Sequence, residues 1–168
     1  MDTKISQNFD IREFVDKATY NRFGVNSSWF ISEKSVKCAE FYKSFFTSYF
    51  KNKLGNDKVK SVSITVNNWH IGGSKQFSGF RPPNCVEGAA LSQHRLANAF
   101  DCEIRIIFMD GTSKEVDYIE IHKVIQENES EFMAHGVTRI EDVSIASGWL
   151  HTDFAYIPNQ KHILIVKP

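Results

Sequence analysis

The sequence predicts a single α+β domain, with an antiparallel sheet and helices packed on one side of it. Three observations point there. Helix-periodic segments come first, strand-like segments come later, and the two alternate too little for a parallel sheet. At 168 residues, 42% hydrophobic and 24% charged, the chain can bury a core without disulfides. No repeat, linker or low-complexity tract divides residues 1–168, so one domain is expected.

Asp10 to Tyr20 predicts a short helix with Ile11, Phe14 and Val15 on one face, broken by Gly24 to Ser28. A longer helix follows from Ser32, its N-cap, to Leu54. Its residues Val36, Ala39, Phe41, Tyr42, Phe45, Phe46, Tyr49 and Phe50 recur mostly at three-to-four spacing, and Gly55-Asn56-Asp57 stops it. Val59 to Val66 alternates as a strand. Residues 67 to 93 are irregular, with Gly72-Gly73, Ser78-Gly79, Pro82-Pro83 and Gly88, and so long a loop in a small domain is usually functional. Ala99 to Met109 is a second strand, turned at Asp110-Gly111 into a partner over Thr112 to Val116. A helix over Ile119 to His135 points Ile121, Val124, Ile125 and Phe132 inward. Strands at Gly148 to Tyr156 and His162 to Val166, joined at Ile157-Pro158-Asn159, end the chain.

Composition narrows the function. Lys plus Arg and Asp plus Glu both number 20, so there is no basic excess of the kind nucleic-acid binding favours. Cys38, Cys85 and Cys102 are odd in number and widely spaced, which suggests neither a disulfide framework nor a cysteine-rich zinc site. Met1 to Asp10 is polar, and no apolar run is long enough to span a bilayer. Synthesis in the cytosol without a signal peptide is expected, and no membrane partner.

Three places carry chemistry: Phe80-Arg81-Pro82, Ser92-Gln93-His94 with Asp101, and Trp149-Leu150-His151-Thr152-Asp153. His94 and Asp101 cannot meet at one ion along a straight element. Seven residues rise about 10.5 Å in a helix and roughly 23 Å in a strand. The chain must turn between them, and His151 would join from a neighbouring strand. Two imidazoles and one carboxylate leave a fourth position open, the pattern of a catalytic zinc site. His70, after Trp69 at a strand end, is expected to line the same cleft and contact substrate. His122, His135 and His162 are expected to be structural.

The run from Ser92 to Asp101 resembles the S-x-H-x-x-G-x-A-x-D signature of the D-alanyl-D-alanine carboxypeptidase family of zinc peptidases. That family includes phage L-alanyl-D-glutamate endopeptidases, and hedgehog signalling domains share its fold. Ser78-Gly79-Phe80-Arg81 resembles the family's S-G-[FY]-R segment, and Trp149 to Asp153 its closing W-x-H-x-D. The resemblance runs from about Phe9 to Phe154 and is nearest the small phage branch. It implies that His94, Asp101 and His151 bind Zn2+, that Arg81 holds a substrate carboxylate or carbonyl, and that Ser92 supports the first ligand or the substrate. The implied substrate is a peptidoglycan stem peptide, cut after release from the cell or by an enzyme carried in a virion.

The chain departs from the pattern twice. Ala97 stands where the signature has Gly. The positions three and six before the last His, where relatives place an acidic base, are Gly148 and Ile145. Asp153 is the expected base, since residues i and i+2 on a strand share a face. A carboxylate there also fits the orienting of a histidine, and Glu141 and Asp142 are the next nearest acids. A metal-bearing structural or virion module without catalysis is the alternative function.

Overall fold

In the computed structural model, which describes residues 2–167, the helix expected over Asp10 to Tyr20 is split. A 3-10 turn, Ile11–Glu13, is closed by a capping box between Asp10 and Glu13. Helix α1 (Lys17–Phe23) then starts afresh on Asp16, whose carboxylate accepts from the amides of Ala18 and Thr19. Helix α2 (Glu33–Leu54) matches its periodicity and buries Val36, Ala39, Tyr42, Phe46 and Phe50. The helix expected over Ile119 to His135 forms as two, α3 (Tyr118–Glu127) and α4 (Glu129–Ala134). Asn128 breaks it, because its side-chain amide donates back to the Val124 carbonyl at 2.8 Å and offers the backbone a local alternative. Both halves still feed the core, where Phe132 packs edge-on against Phe41 and Phe45 of α2.

The sheet has six strands: β1 (Val59–Thr65), β2 (Ala99–Phe108), β3 (Ser113–Glu115), β4 (Arg139–Glu141), β5 (Leu150–Asp153) and β6 (Leu164–Val166). Their order is β1-β2-β5-β4-β6, with β3 also on β2. The architecture is α+β as expected, but the sheet is mixed rather than purely antiparallel, because β6 runs parallel to β4. The cause is β4, a three-residue strand not anticipated from the sequence. The edges of β5 are taken by β2 and β4, so the returning chain reaches the sheet only on the far side of β4. Of residues 67 to 93, only Trp69–Ile71 and the last residue, Gln93, take regular form, each in a 3-10 turn.

Helix α2 covers one face of β1 and β2. Its Tyr42, fully buried, shares a 2.8 Å hydrogen bond with the Thr152 hydroxyl on β5. Alternation along the strand then sends the flanking His151 and Asp153 to the opposite face. The functional residues therefore sit on the face that α2 leaves free. Among the described residues no helix is long and apolar enough to cross a membrane.

Tyr42→Phe leaves the buried Thr152 hydroxyl without its partner. It is expected to lower unfolding free energy by about 1–3 kcal/mol, as read by urea denaturation.

Candidate metal centre

Strand pairing assembles the site. In the β2–β5 register Asp101 lies opposite His151. The β4–β5 register sets Arg139 opposite Asp153 and Ile140 opposite Thr152, and Glu141, the last residue of β4, lies close enough to act on the charge of His151. One row across the sheet thus pairs Asp101 with His151, and another brings Asp153 to Arg139. His94 comes from outside the sheet, on a 3-10 turn (Gln93–Leu96) that folds back over the start of β2. Ser92 caps that turn by accepting from the His94 amide.

His94, Asp101 and His151 form a group that could hold a metal ion. His94 Nε2 lies 3.3 Å from His151 Nδ1 and 3.4 Å from Asp101 Oδ1, and His151 Nδ1 lies 2.7 Å from the same oxygen. Ligands about 2.0–2.1 Å from a tetrahedral ion stand about 3.3–3.4 Å apart, so two of the three spacings already fit. The third is a hydrogen-bond length and needs a proton on His151.

The ring orientations are fixed from behind. His94 Nδ1 donates to the Gly79 carbonyl at 2.7 Å, which leaves Nε2 as the lone-pair nitrogen. That carbonyl arrives only because residue 79 is glycine: a Cβ there would stand 2.3 Å from the Phe14 carbonyl oxygen. The Ser78 carbonyl accepts from the Asp101 amide at 2.7 Å, and the Arg81 amide donates to the His94 carbonyl at 3.1 Å. The stretch Ser78 to Arg81 is therefore the frame for two of the three ligands.

Arg81 is placed at the cleft floor, where Nη2 donates to Asp101 Oδ2 at 2.9 Å and Nε to the Phe77 carbonyl at 2.6 Å. Gly88, at φ +76°, lets the loop close over it, since a Cβ would lie 2.5 Å from Nη1. Most of the guanidinium is thus committed to holding a ligand carboxylate. Asp153 is equally committed. Arg139 Nε donates to both its oxygens at 2.9 Å, Arg139 Nη2 stands 2.9 Å from Oδ2, and the Ala155 amide adds 3.2 Å. His151 Nε2 lies 3.5 Å from it. Buried and ion-paired, its carboxyl is held below the usual range: burial opposes the charge, but the bonds to His151 and Arg139 outweigh that. Asp153 is built to orient His151, and its engagement with Arg139 argues against the role of base. His70 is not among the cleft residues; it sits on the 3-10 turn Trp69–Ile71, in the field of Arg12 and Asp10.

These residues floor a cleft of about 530 Å³, walled by loop residues 88–93 on one side and by β4 and β6 on the other. Glu141 lines it, and among the described residues no hydrogen bond or ion pair engages its carboxylate. Arg139 and the Gly79 carbonyl escaped sequence reasoning. Neither lies at a telling spacing from a ligand, and only strand pairing and the close approach to Phe14 reveal them.

Both ring nitrogens of His151 face carboxylates. Burial disfavours its charge, but the bonds to Asp101 and Asp153 win and push it up to about 9. A raised value means that stability from the imidazolium is complete below the ordinary histidine value and fades as pH climbs through about 9. Metal must displace that proton. Zinc affinity is therefore expected to rise about tenfold per pH unit up to about 9 and to level off above it. Elemental analysis should find one metal per chain after zinc loading and none in folded His94→Ala; a wild type that stays metal-free would remove the centre. Ala97 ends the His94 turn at φ 55°, the left-handed region that the signature Gly suits. Ala97→Gly is expected to raise unfolding free energy by about 0.5–1 kcal/mol without loss of metal, as calorimetry would show.

Comparison with protein-family models, with curated proteins and with solved structures finds no match to this chain.

Proposed function

We propose that this protein is a zinc-dependent peptidase that hydrolyses an amide bond in peptidoglycan stem peptides, as an endopeptidase or a D,D-carboxypeptidase. The observation that carries the reading is the convergence of His94 Nε2, His151 Nδ1 and Asp101 Oδ1 at the floor of an open cleft. Imidazole and carboxylate donors with room for a further ligand suit zinc better than the harder cations, which take oxygen alone. The stem-peptide substrate is supported by the likeness of the three motifs to the zinc peptidases.

Bound there, zinc would polarise a carbonyl and lower the pKa of water to about 7. The chain's own residues do the rest. The Gly79 carbonyl and the Asp153–Arg139 pair aim the two imidazoles, and Arg81 holds Asp101 while keeping a permanent positive charge at the floor. Glu141, one strand over from His151 and on the same face, is the carboxylate free to take a proton at its side-chain oxygens. It fills the role that Gly148 and Ile145 cannot, and that Asp153 is too well bonded to fill. An enzyme of this kind would meet the wall after release from the cell or from within a virion.

The second reading, a metal-holding module without catalysis, is favoured by the full engagement of Asp153. Release of new amino groups from purified peptidoglycan by the zinc-loaded protein decides between them. Glu141→Gln is expected to keep one metal per chain and lose about 10²–10⁴-fold in turnover. Asp153→Asn should instead weaken zinc binding about 10–100-fold. No amino-group release by the loaded wild type would leave only the structural module.

A further inference from the structure

Of the 14 phenylalanines, ten lie in the core or pack directly against it. The other four, Phe23, Phe30, Phe77 and Phe80, all line one surface groove of about 520 Å³. Each stays partly exposed, Phe23 to 37%. Leaving four such rings partly in water forgoes part of a burial worth about 1.5–3 kcal/mol for a full side chain, and the groove gathers them where a ligand could complete it.

Three of the rings form a continuous chain of contacts. Phe30 and Phe80 stack at 5.2 Å and 21°, Phe23 adjoins Phe30 at 5.2 Å, and the Arg22 guanidinium lies over Phe23. The rim adds Arg22 and Asn84 as donors. The one acid in the lining, Asp16, is buried and spent on capping α1. The groove therefore suits a ligand with apolar ring faces, hydroxyl and amide groups at its edges, and no cationic charge to match.

Its position narrows the ligand further. Phe80 faces the groove and the next residue, Arg81, faces the metal cleft. The loop from Pro82 to Leu91 forms the ridge between them. Arg95, the neighbour of His94, stiffens that ridge by donating to the carbonyls of Pro83, Cys85 and Ala89. The two sites lie back to back across one short, pinned loop.

We propose that this groove binds the amino-sugar strand of the substrate, with N-acetylated pyranose rings stacked on the phenylalanines while the attached peptide crosses the ridge into the metal cleft. The inference rests on the peptidoglycan reading above. A branched polymer of sugar and peptide fills both depressions at once, which a linear peptide in the cleft does not require.

The test uses the metal-free full chain and the linear N-acetylglucosamine tetramer as probe, followed by amide NMR. The expected result is saturable shifts confined to residues around Phe23, Phe30 and Phe80, weakened about tenfold in Phe30→Ala. The zinc-loaded Phe30→Ala should also show a lower ratio of turnover on intact sacculi to turnover on free stem peptide than wild type. Wild-type spectra unmoved by the tetramer, or shifts in the metal cleft alone, would overturn the proposal. So would groove shifts produced simply by raising protein concentration, which would assign the platform to a second copy. Tetramer binding with no cleavage of intact sacculi or of free stem peptide would sink the hydrolase reading and leave a sugar-binding groove. Cleavage without tetramer binding would do the reverse.

Discussion

Two imidazole nitrogens and a carboxylate oxygen stand within 3.4 Å of one another, and atoms of this kind stay so close only with a proton or a metal ion between them. A proton on His151 Nδ1 accounts for its 2.7 Å contact with Asp101, and a metal ion would take that proton's place. The surroundings follow from that requirement. Arg81 neutralises Asp101 from one side, and Arg139 neutralises Asp153, which in turn faces His151. Positive and negative groups alternate from Arg81 through Asp101, His151 and Asp153 to Arg139. Removing one partner from such a partly buried pair costs about 3–5 kcal/mol, because the other charge is left behind.

The sheet supplies the spacing that this cluster needs. Cross-strand neighbours sit about 4.5–5.5 Å apart at Cβ, close enough for side chains to share an ion without any bend in the strands. Asp101 and His151 are such neighbours. His94 is the exception, and the irregular stretch before it exists to bring it in. Gly79 runs its backbone against Phe14 so that its carbonyl can meet the imidazole. What looks from composition like a loose loop is a bracket, tied to β2 by the Ser78 carbonyl and to the His94 turn by the Arg81 amide.

The opposite face of the sheet explains why the site stays in place. Thr152 alternates with His151 and Asp153 and reaches Tyr42 of α2 inside the core. The strand bearing the site residues is thereby fastened from behind by a polar bond in an aromatic cluster that includes Phe46, Phe100 and Phe132. The core rigidifies the candidate metal site without contributing an atom to it.

By itself the sequence determined the α+β class, the long helix α2 and strands β1 and β2, while the triplet His94, Asp101 and His151 was singled out by motifs that resemble a zinc-peptidase signature. The elements are written in local periodicity; the triplet needed the resemblance, because a chain with six His and 20 acidic residues yields two-His-one-carboxylate sets by chance. Only the tertiary structure decided that the sheet is mixed, that Asn128 splits the last helix, and that β4 exists at all. Three residues carry too little alternation to announce a strand. The same strand decided the roles of the acids: it brings Arg139 to Asp153 and leaves Glu141 beside His151, across sequence gaps that no spacing encodes. Local pattern fixes what a segment is. Which charged group meets which depends on strand pairing, and that is settled by burial of the whole sheet at once.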